Sequence, residues 1–251
     1  MTGLGFLQVP ALDYESLATG ASDDGLTVAG TSMVSDPNDP TVSVPEAFVW
    51  ESGVMTGLGF LAFDGNDFGS EAFGISGDGR VVVGRAMNTD PNDASKSVRE
   101  AFIWKNGVMT GLGFLETSTV KVESQATVTS YDGTWVVGHS NVTDPNKPTK
   151  SVPQAFRWSA EGGMEPLGFL STDASGGTSS RATGVSEDGS IVVGRSMAGP
   201  GNRAFIWTAE SNEMRTLHDM LEEELGVDLT GWVFDKPPLI TPDGGPSWAW
   251  P

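Results

Sequence analysis

Apolar and polar positions recur along this chain with a fixed period. The segment G-V-M-T-G-L-G-F-L at 53–61 returns unchanged at 107–115 and as G-G-M-E-P-L-G-F-L at 162–170. Its core, M-T-G-L-G-F-L, opens the chain, and M-R-T-L at 214–217 is a degenerate copy. The methionines that anchor these copies lie 54, 54, 55 and 50 residues apart. A period near 50 predicts units that stack on their neighbours, because one unit cannot bury its apolar surface alone.

Each repeat contains four segments with strand patterns. In the second repeat, G-D-G at 77–79 is a tight-turn sequence that precedes a β-branched run, and a polar loop is predicted at 88–99. The four strands predicted for this repeat are 72–76, 80–87, 100–104 and 108–115. The buried runs of the four copies are 26–33, 80–87, 134–141 and 190–197. We therefore predict an antiparallel meander, in which the elements follow in the order strand, tight turn, strand, loop, strand, tight turn, strand.

Four-stranded meanders at this period are typical of the blades of a β-propeller. We therefore predict an all-β, five-bladed β-propeller that forms one domain over residues 1–251. The predicted blades are 18–61, 72–115, 126–170, 182–217, and 228–251 completed by 1–7. In this prediction S-W-A-W at 247–250 resembles a third strand, and the N-terminal strand closes the last blade. A short helix is predicted at 217–225, ended by Gly226. A four-bladed ring with a tail is the alternative.

The composition excludes several classes of protein. The chain has 33 Asp and Glu against 14 Lys and Arg, a net charge of −19, which opposes binding to nucleic acid. Without cysteine there is neither a disulfide framework nor thiol chemistry. No apolar run is long enough to predict a membrane span. No signal peptide precedes the first repeat, so either the protein is cytoplasmic or a leader has been removed.

Three motifs recur along the chain: A-F-x-W, G-x-M-x-x-L-G-x-L and S-x-A-x-x-x-S-x-D-G-x-V-V-V-G, as at 101–104, 107–115 and 70–84. In these motifs the repeat resembles the HAF-type extracellular repeat family, from residue 1 to about 217. The resemblance implies a secreted, cell-surface or periplasmic location and says little about activity. The histidine that names the family precedes Ala-Phe, and this chain has other residues there, so no role of that histidine transfers. The residues at that position are Glu46, Glu100, Gln154, Arg203 and Ser247.

Residues repeated in every copy are interpreted first as structural. A sugar-binding aromatic platform is the alternative for the tryptophans and phenylalanines, but identical placement in each copy favours core packing. These residues are Trp50, Trp104, Trp158, Trp207 and Trp250, and Phe48, Phe102, Phe156 and Phe205, with Trp248 in the last copy. The D-P-N triplets suit type I turns, and their oxygens also suit Ca²⁺. The candidate calcium ligands are Asp36, Asn38, Asp90, Asn92, Asp144 and Asn146.

Residues that differ between copies are the candidate ligand contacts. One set precedes the alanine of the inner strand, and another follows the glycine of the buried strand; serines lie beside the first set. If the inner strands line the axis, these side chains surround the top mouth of a channel. Ordinary ion pairing between strands, such as Arg85 with Glu100, is the structural alternative. The candidates are Ser16, Ser70, Ser124, Ser180, Glu71, Gln125, Arg181, Arg85, His139 and Arg195, with Tyr14, Phe63 and Phe68 from the connecting loops.

No catalytic motif is present, which leaves three functional hypotheses. The first is a secreted or surface binding protein that recognises a glycan or similar polar ligand through the top face, with no cofactor unless calcium binds. The second is a polysaccharide hydrolase or lyase, with Glu71 as acid/base and His139 or Arg181 stabilising charge. Asp64 and Asp67 are further carboxylates for such a pair. The third is a structural or adhesive module.

Overall fold

A computed structural model describes residues 3–7, 13–61, 67–170, 178–198, 201–236, 239–241 and 246–247. The described residues form four antiparallel sheets of four strands each. The first sheet contains β1 (Ser16–Ala21), β2 (Thr27–Ser35), β3 (Ser43–Glu51) and β4 (Val54–Gly57). The second contains β5 (Ser70–Ile75), β6 (Val81–Asp90), β7 (Asp93–Lys105) and β8 (Val108–Gly111).

The third and fourth sheets repeat the same strand order. The third contains β9 (Ser124–Thr129), β10 (Trp135–Asp144), β11 (Lys147–Ser159) and β12 (Gly163–Gly168). The fourth contains β13 (Ser180–Val185), β14 (Ile191–Ala198), β15 (Gly201–Thr208) and β16 (Glu213–Thr216). Neighbours in sequence are neighbours in each sheet. The all-β class and the four-stranded antiparallel unit, which is the blade of propeller folds, are confirmed.

The chain divides into two compact units. One comprises Met1–Gly113 with Glu123–Gly133, and the other Phe114–Val122 with Thr134–Pro251. The first unit therefore contains the first two sheets and β9. The second contains β10 to β12, the fourth sheet, and the elements that follow it.

A phenylalanine packed on a glycine is the recurrent core of the sheets. In the second sheet Phe102 stands opposite Gly84 and is fully buried. A Cβ on Gly84 would lie 1.9 Å from the carbonyl oxygen of Glu71 and 2.9 Å from the Phe102 ring. The same opposition joins Phe48 to Gly30, Phe156 to Gly138, and Phe205 to Gly194. The interpretation of these phenylalanines as core residues is confirmed.

The S-x-D-G turns hold one sheet against the next within each unit. In the second sheet the Ser76 hydroxyl donates to Asp78 Oδ1 at 2.6 Å and accepts from the Val81 N–H at 2.9 Å. A Cβ on Gly79 would lie 2.9 Å from the Thr27 hydroxyl of the first sheet. The Asp23 N–H also donates to the Gly77 carbonyl at 3.0 Å. The turn is therefore both a hairpin and a contact between sheets.

The long loop predicted at 88–99 is wrong in the second sheet. Strands β6 and β7 continue through most of it to a short turn at D-P-N, and Met87 pairs with Arg99. The third sheet does the same, with β10 ending at Asp144 and β11 beginning at Lys147. The compact D-P-N turn allows the polar residues on either side to continue the strand pairing, so polarity alone did not identify a loop.

The predicted fifth blade is also wrong, because the described residues contain four such sheets and none closes on the N-terminus. Residues 3–7 form no strand. In place of a third strand at 247–250, β18 (Pro246–Ser247) pairs with β17 (Leu239–Ile240) as a two-stranded hairpin; residues 1, 2, 237, 238, 242–245 and 248–251 lie outside the described part. A Cβ on Gly184 would lie 2.8 Å from Ile240. This contact corresponds to that of Gly20 with Ile75, so β17 takes the place of the first strand of a further sheet.

Strand β1 is more exposed than its counterparts in the other sheets. Ala18 on β1 is exposed, whereas its counterparts Ala72, Ala126 and Ala182 are fully buried. Leu17 beside it is 63% exposed. No other described strand covers β1 as its counterparts are covered.

The predicted helix is confirmed as α1 (Leu217–Leu225). The Thr216 hydroxyl accepts from the Asp219 N–H at 3.0 Å, as an N-terminal cap does. Gly226 ends the helix with a φ of 64°, which glycine adopts without steric cost. Across the described ranges, no helix has the length and apolarity needed to cross a membrane.

Candidate functional site

The two sets of residues that differ between copies are partners on neighbouring strands. Leu17 stands opposite Thr31, Glu71 opposite Arg85, and Arg181 opposite Arg195. Directly opposed side chains lie on the same face of a sheet, with Cβ atoms about 4.5–5.5 Å apart. The first, second and fourth sheets therefore each present one such pair, and its chemistry changes from sheet to sheet.

In the first unit three of these positions form a polar network. Arg85 Nε donates to Glu71 Oε2 at 2.6 Å, and Arg85 Nη1 donates to Gln125 Oε1 at 3.2 Å. The Arg85 guanidinium also lies 5.4 Å from the centre of the Phe73 ring. Three predicted residues, Glu71, Arg85 and Gln125, are thus brought together. The local ion pair given as the structural alternative exists, but its partner is Glu71 and not Glu100.

A cavity of about 260 Å³ opens beside this network. Pro45, Phe68 and Met87 supply apolar surface, and Glu71, Arg85 and Arg99 supply charge. The side chains of Glu71 and Arg85 are 32% and 22% exposed, so solvent reaches both. Phe68 also packs edge-on against Phe60 at 5.3 Å between ring centres. An aromatic side chain and two guanidinium groups therefore line the same cavity.

Arg99 and Asp67 complete the cavity. Arg99 is exposed and makes no hydrogen bond or ion pair with another described residue. Asp67 Oδ2 accepts from the Ser97 hydroxyl at 2.6 Å. The sequence did not identify Arg99 as a candidate ligand contact, because residues 88–99 were predicted to form a loop. Only the strand pairing of Arg99 with Met87 places it at the cavity.

The serines have structural roles, contrary to the predicted ligand contacts. Ser70 accepts from the Ala47 N–H at 3.0 Å and donates to the Gly59 carbonyl at 2.7 Å. Ser124 and Ser180 make the corresponding bonds, and all three are almost fully buried. Ser16, which is half-buried, donates to the Gly5 carbonyl at 2.9 Å. These hydroxyls join each sheet to the preceding connection and leave no donor for a ligand.

The remaining candidates are not among the residues that line this cavity. Tyr14 is 54% exposed and packs edge-on against Phe6 at 5.5 Å. His139 is half-buried on β10, opposite Ala155. Arg181 and Arg195 lie on the fourth sheet, in the second unit. Phe63 and Asp64 lie outside the described residues.

The D-P-N triplets are turns in the structure. Asp36 Oδ1 accepts from the Asn38 N–H at 2.7 Å, and Asp90 and Asp144 accept in the same way from Asn92 and Asn146. Within the described ranges no three His, Cys, Asp or Glu side chains gather as metal ligands would. Calcium binding at these triplets stays a prediction.

Comparison with known proteins supports the fold. No protein-family model and no curated protein matches the chain. It is similar to a mutant of puromycin hydrolase complexed with PGG, at 12% identity and a TM-score of 0.51, over 94% of this chain and 34% of that one. This match bears on the fold alone.

Two further solved structures share the similarity at lower scores. TolB from Acinetobacter baumannii matches at 15% identity and a TM-score of 0.49, over 92% of this chain. The β-propeller domain of the Trilobed protease from Pyrococcus furiosus matches at 13% identity and a TM-score of 0.44, over 80% of this chain. The chain spans about half the length of each, 47% and 51% respectively.

Proposed function

We propose that this chain is a propeller-type binding module that recognises a glycan or similar polar ligand. The cavity in the first unit carries the proposal, because it combines an aromatic wall with charged donors. Phe68 offers a flat apolar face, Arg85 is held in place by Glu71 and Gln125, and the Arg99 guanidinium has N–H groups with no partner among the described residues. Ligand sites in proteins commonly pair apolar lining with a few oriented polar groups. A sugar ring, with apolar faces and polar edges, fits that arrangement.

The location proposed for this module is outside the cytoplasm. The repeat resembles the HAF-type extracellular family in the residues given above, and the proposal rests on that resemblance. The net charge of −19 continues to disfavour nucleic acid as a partner.

A polysaccharide hydrolase or lyase is the second candidate. One observation favours it: two carboxylates, Asp67 and Glu71, line the same cavity. Glycosidases use a pair of carboxyl groups on either side of the scissile bond. In this structure Glu71 is bonded to Arg85 and Asp67 to Ser97, so each carboxylate already has a partner. The binding function is therefore the better supported of the two.

The test is a binding screen with two cavity variants and a matched control. Neutral and acidic oligosaccharides are titrated by calorimetry into the wild type and into Arg99→Ala and Phe68→Ala. Truncating a residue that anchors a ligand costs about 2 kcal/mol or more, so we expect binding to weaken by about tenfold or more. Arg80→Ala is the control, because Arg80 lies on the tight turn of the same sheet with an 82% exposed side chain.

Each outcome separates the functional hypotheses. Binding that Arg99→Ala and Phe68→Ala weaken, with Arg80→Ala unaffected, supports the cavity as the site. New reducing ends released from a bound polysaccharide, and lost in Glu71→Gln, would make the protein an enzyme. Binding that is equal in all variants would refute this cavity, and no binding to any saccharide would favour a structural or adhesive module.

A further inference from the structure

The fourth sheet departs from the repeat at the position that precedes Ala-Phe. In the first sheet Glu46 stands there, and its carboxylate lies over Gly57. In the fourth sheet Arg203 takes the place of the glutamate, and Thr216 takes the place of the glycine. Arg203 and Thr216 both line a cavity of about 220 Å³ in the second unit.

Trp232 supplies the aromatic surface of this cavity and is 56% exposed. The segment that carries it is anchored on both sides of the indole. The Trp232 N–H donates to the Leu229 carbonyl at 2.8 Å, and the Phe234 carbonyl accepts from the Ala204 N–H at 2.7 Å. Leu229 is buried against apolar side chains of α1 and β15. A large aromatic side chain is therefore held at the cavity while much of its surface stays open to solvent.

Arg203 and Asp219 are the charged groups that line the cavity. Arg203 Nη1 donates to the Asn202 carbonyl at 3.0 Å, and the other N–H groups of this guanidinium have no partner among the described residues. The Asp219 side chain is exposed, and His218 Nδ1 lies 3.5 Å from its Oδ1. The cavity thus combines donors and acceptors, and the guanidinium and the carboxylate balance in charge.

The cavity of the first unit contains the same three kinds of side chain. In each cavity an aromatic residue lies two positions before the residue that accepts the N–H of the alanine in the third strand, through the Ser70 hydroxyl in the first unit and the Phe234 carbonyl in the second. The aromatic residue, the arginine and the carboxylate are Phe68, Arg99 and Asp67 in the first unit, and Trp232, Arg203 and Asp219 in the second. Two stretches with different sequences therefore bring the same combination of groups together.

We propose that Trp232, Arg203 and Asp219 form a second saccharide site, which takes one neutral sugar ring. The indole packs against the apolar face of the ring. Sugar hydroxyls donate to the carboxylate and accept from the guanidinium. Pockets for larger ligands usually enclose about 300–1,000 Å³, so a cavity of about 220 Å³ suits a single ring. The ligand class rests on the proposed function, but the site itself does not depend on the cavity of the first unit.

Calorimetric titration with cellotriose, maltotriose and xylotriose tests the site, with trigalacturonate as the acidic comparison. We expect the wild type to bind two molecules of a neutral trisaccharide per chain, and Trp232→Ala to bind one. Arg203→Gln should weaken binding at this site by about tenfold or more, and Gln154 at the corresponding position of the third sheet shows that glutamine is compatible with the fold. Trp232→Phe keeps an aromatic face, so it should still bind while losing the change in tryptophan fluorescence that the ligand causes.

Val227→Ala is the matched control, because it shortens an exposed side chain between α1 and Trp232 that does not line the cavity. Phe68→Ala leaves this site as the one expected to bind. No binding of any neutral trisaccharide to Phe68→Ala would overturn the proposal, as would equal binding by the wild type, Trp232→Ala and Arg203→Gln. Binding of trigalacturonate alone would refute a neutral ligand. Binding that Trp232→Ala weakens and Phe68→Ala leaves unchanged would refute the cavity of the first unit and support this site.

Discussion

A glutamate lying over a glycine explains much of the repeated M-T-G-L-G segment. A Cβ on Gly57 would lie 2.3 Å from Glu46 Oε1, and one on Gly111 would lie 2.3 Å from Glu100 Oε1. Each carboxylate also accepts a backbone bond from the second glycine of the motif, Gly59 at 3.0 Å in the first sheet. Gly59 has a φ of 78°, a conformation that glycine adopts readily. The first glycine therefore leaves space for the carboxylate, and the second adopts a positive φ while its N–H donates to that carboxylate.

The first prediction concerns the pH dependence of stability at Glu46. Burial raises the pKa of the Glu46 carboxyl, and the Gly59 N–H lowers it by a smaller amount. A folded-state pKa above the unfolded value stabilises the fold below the unfolded value, and this contribution is lost as pH rises through the folded value. Glu46→Gln removes it, so we expect the variant to gain stability relative to the wild type as pH rises from about 4 to 7.

Urea unfolding at several pH values measures this difference. The difference in unfolding free energy between the variant and the wild type should change by no more than about 1.4 kcal/mol per pH unit, which is the limit for one proton. Glu51→Gln is the matched control, because it removes an exposed carboxylate from the same strand. A difference between wild type and Glu46→Gln that stays constant with pH would contradict the prediction. Gln154 already occupies this position in the third sheet, so the substitution is compatible with the fold.

At the residue scale, the sequence predicted the repeated residues better than the variable ones. Phe102 and Gly84 could be assigned to the core because identity across copies reflects identical packing. Ser70 was misassigned for the opposite reason: a small polar residue beside variable ones resembles a ligand contact, and its two backbone bonds come from distant segments. Arg99 could not be found, because its place at the cavity depends on strand pairing.

At the element scale, one arginine joins strands of the third and fourth sheets inside the second unit. The Arg157 guanidinium lies 5.0 Å from the Trp135 ring and 4.5 Å from the Trp207 ring. Its Nε donates to Glu165 at 2.7 Å and its Nη1 to the Gly189 carbonyl at 2.9 Å. The corresponding residues of the other sheets are Val49, Ile103 and Ile206. The third sheet thus replaces an aliphatic contact with a cation held between two indoles.

We predict that Arg157→Met lowers the free energy of unfolding by about 2 kcal/mol. The substitution keeps much of the side-chain packing but removes two cation–π contacts, worth about 0.5–2 kcal/mol each, and the bond to the turn carbonyl. Urea unfolding followed by tryptophan fluorescence measures the change.

Arg80→Met is the control for this prediction, because its side chain is 82% exposed and such changes usually stay within about 0.5 kcal/mol. Unchanged stability in Arg157→Met would mean that the cost of removing the guanidinium from water cancels its contacts, as occurs for some buried charges.

Element boundaries show what sequence patterns did and did not predict. The tight turns, the β-branched strands and α1 followed directly from local chemistry. The strand pairing across 88–99 could not be predicted in this way, because a polar segment that continues a hairpin has the composition of a loop. Only the turn at D-P-N, where the Asn92 N–H donates to Asp90 at 2.8 Å, distinguishes a continued hairpin from a loop.

At the scale of the whole molecule, the number of sheets was the least predictable feature. A repeat indicates stacking but does not fix whether the last copy covers the first. The N-terminal segment was expected to close a blade, yet Leu7 donates its N–H to Ser32 of the first sheet at 3.3 Å. Leu115 and Leu170 make the same bond to Ser140 and Ser196. The segment therefore acts as the connection that precedes a sheet.

The net charge of −19 leads to a prediction for the whole chain. Self-repulsion among excess carboxylates destabilises a compact state, and salt reduces the Debye length from about 30 Å at 0.01 M to about 3 Å at 1 M. The chain has few basic residues, and exposed ion pairs contribute only about 0–1 kcal/mol each. We therefore expect sodium chloride to raise the midpoint of thermal unfolding by several degrees, at about 2–4 °C per kcal/mol.

Calcium chloride at matched ionic strength separates this general effect from specific binding. The carboxylates of Asp36, Asp90 and Asp144 each accept a backbone N–H within their turn, and a calcium shift no larger than that of sodium would mean that these carboxylates serve the turns alone. An additional shift that Asp90→Ala and Asp144→Ala abolish would identify the D-P-N turns as calcium sites. A midpoint that falls with sodium chloride would contradict the repulsion argument, because screening would then remove more attraction than repulsion and the exposed ion pairs would carry more stability than their geometry implies.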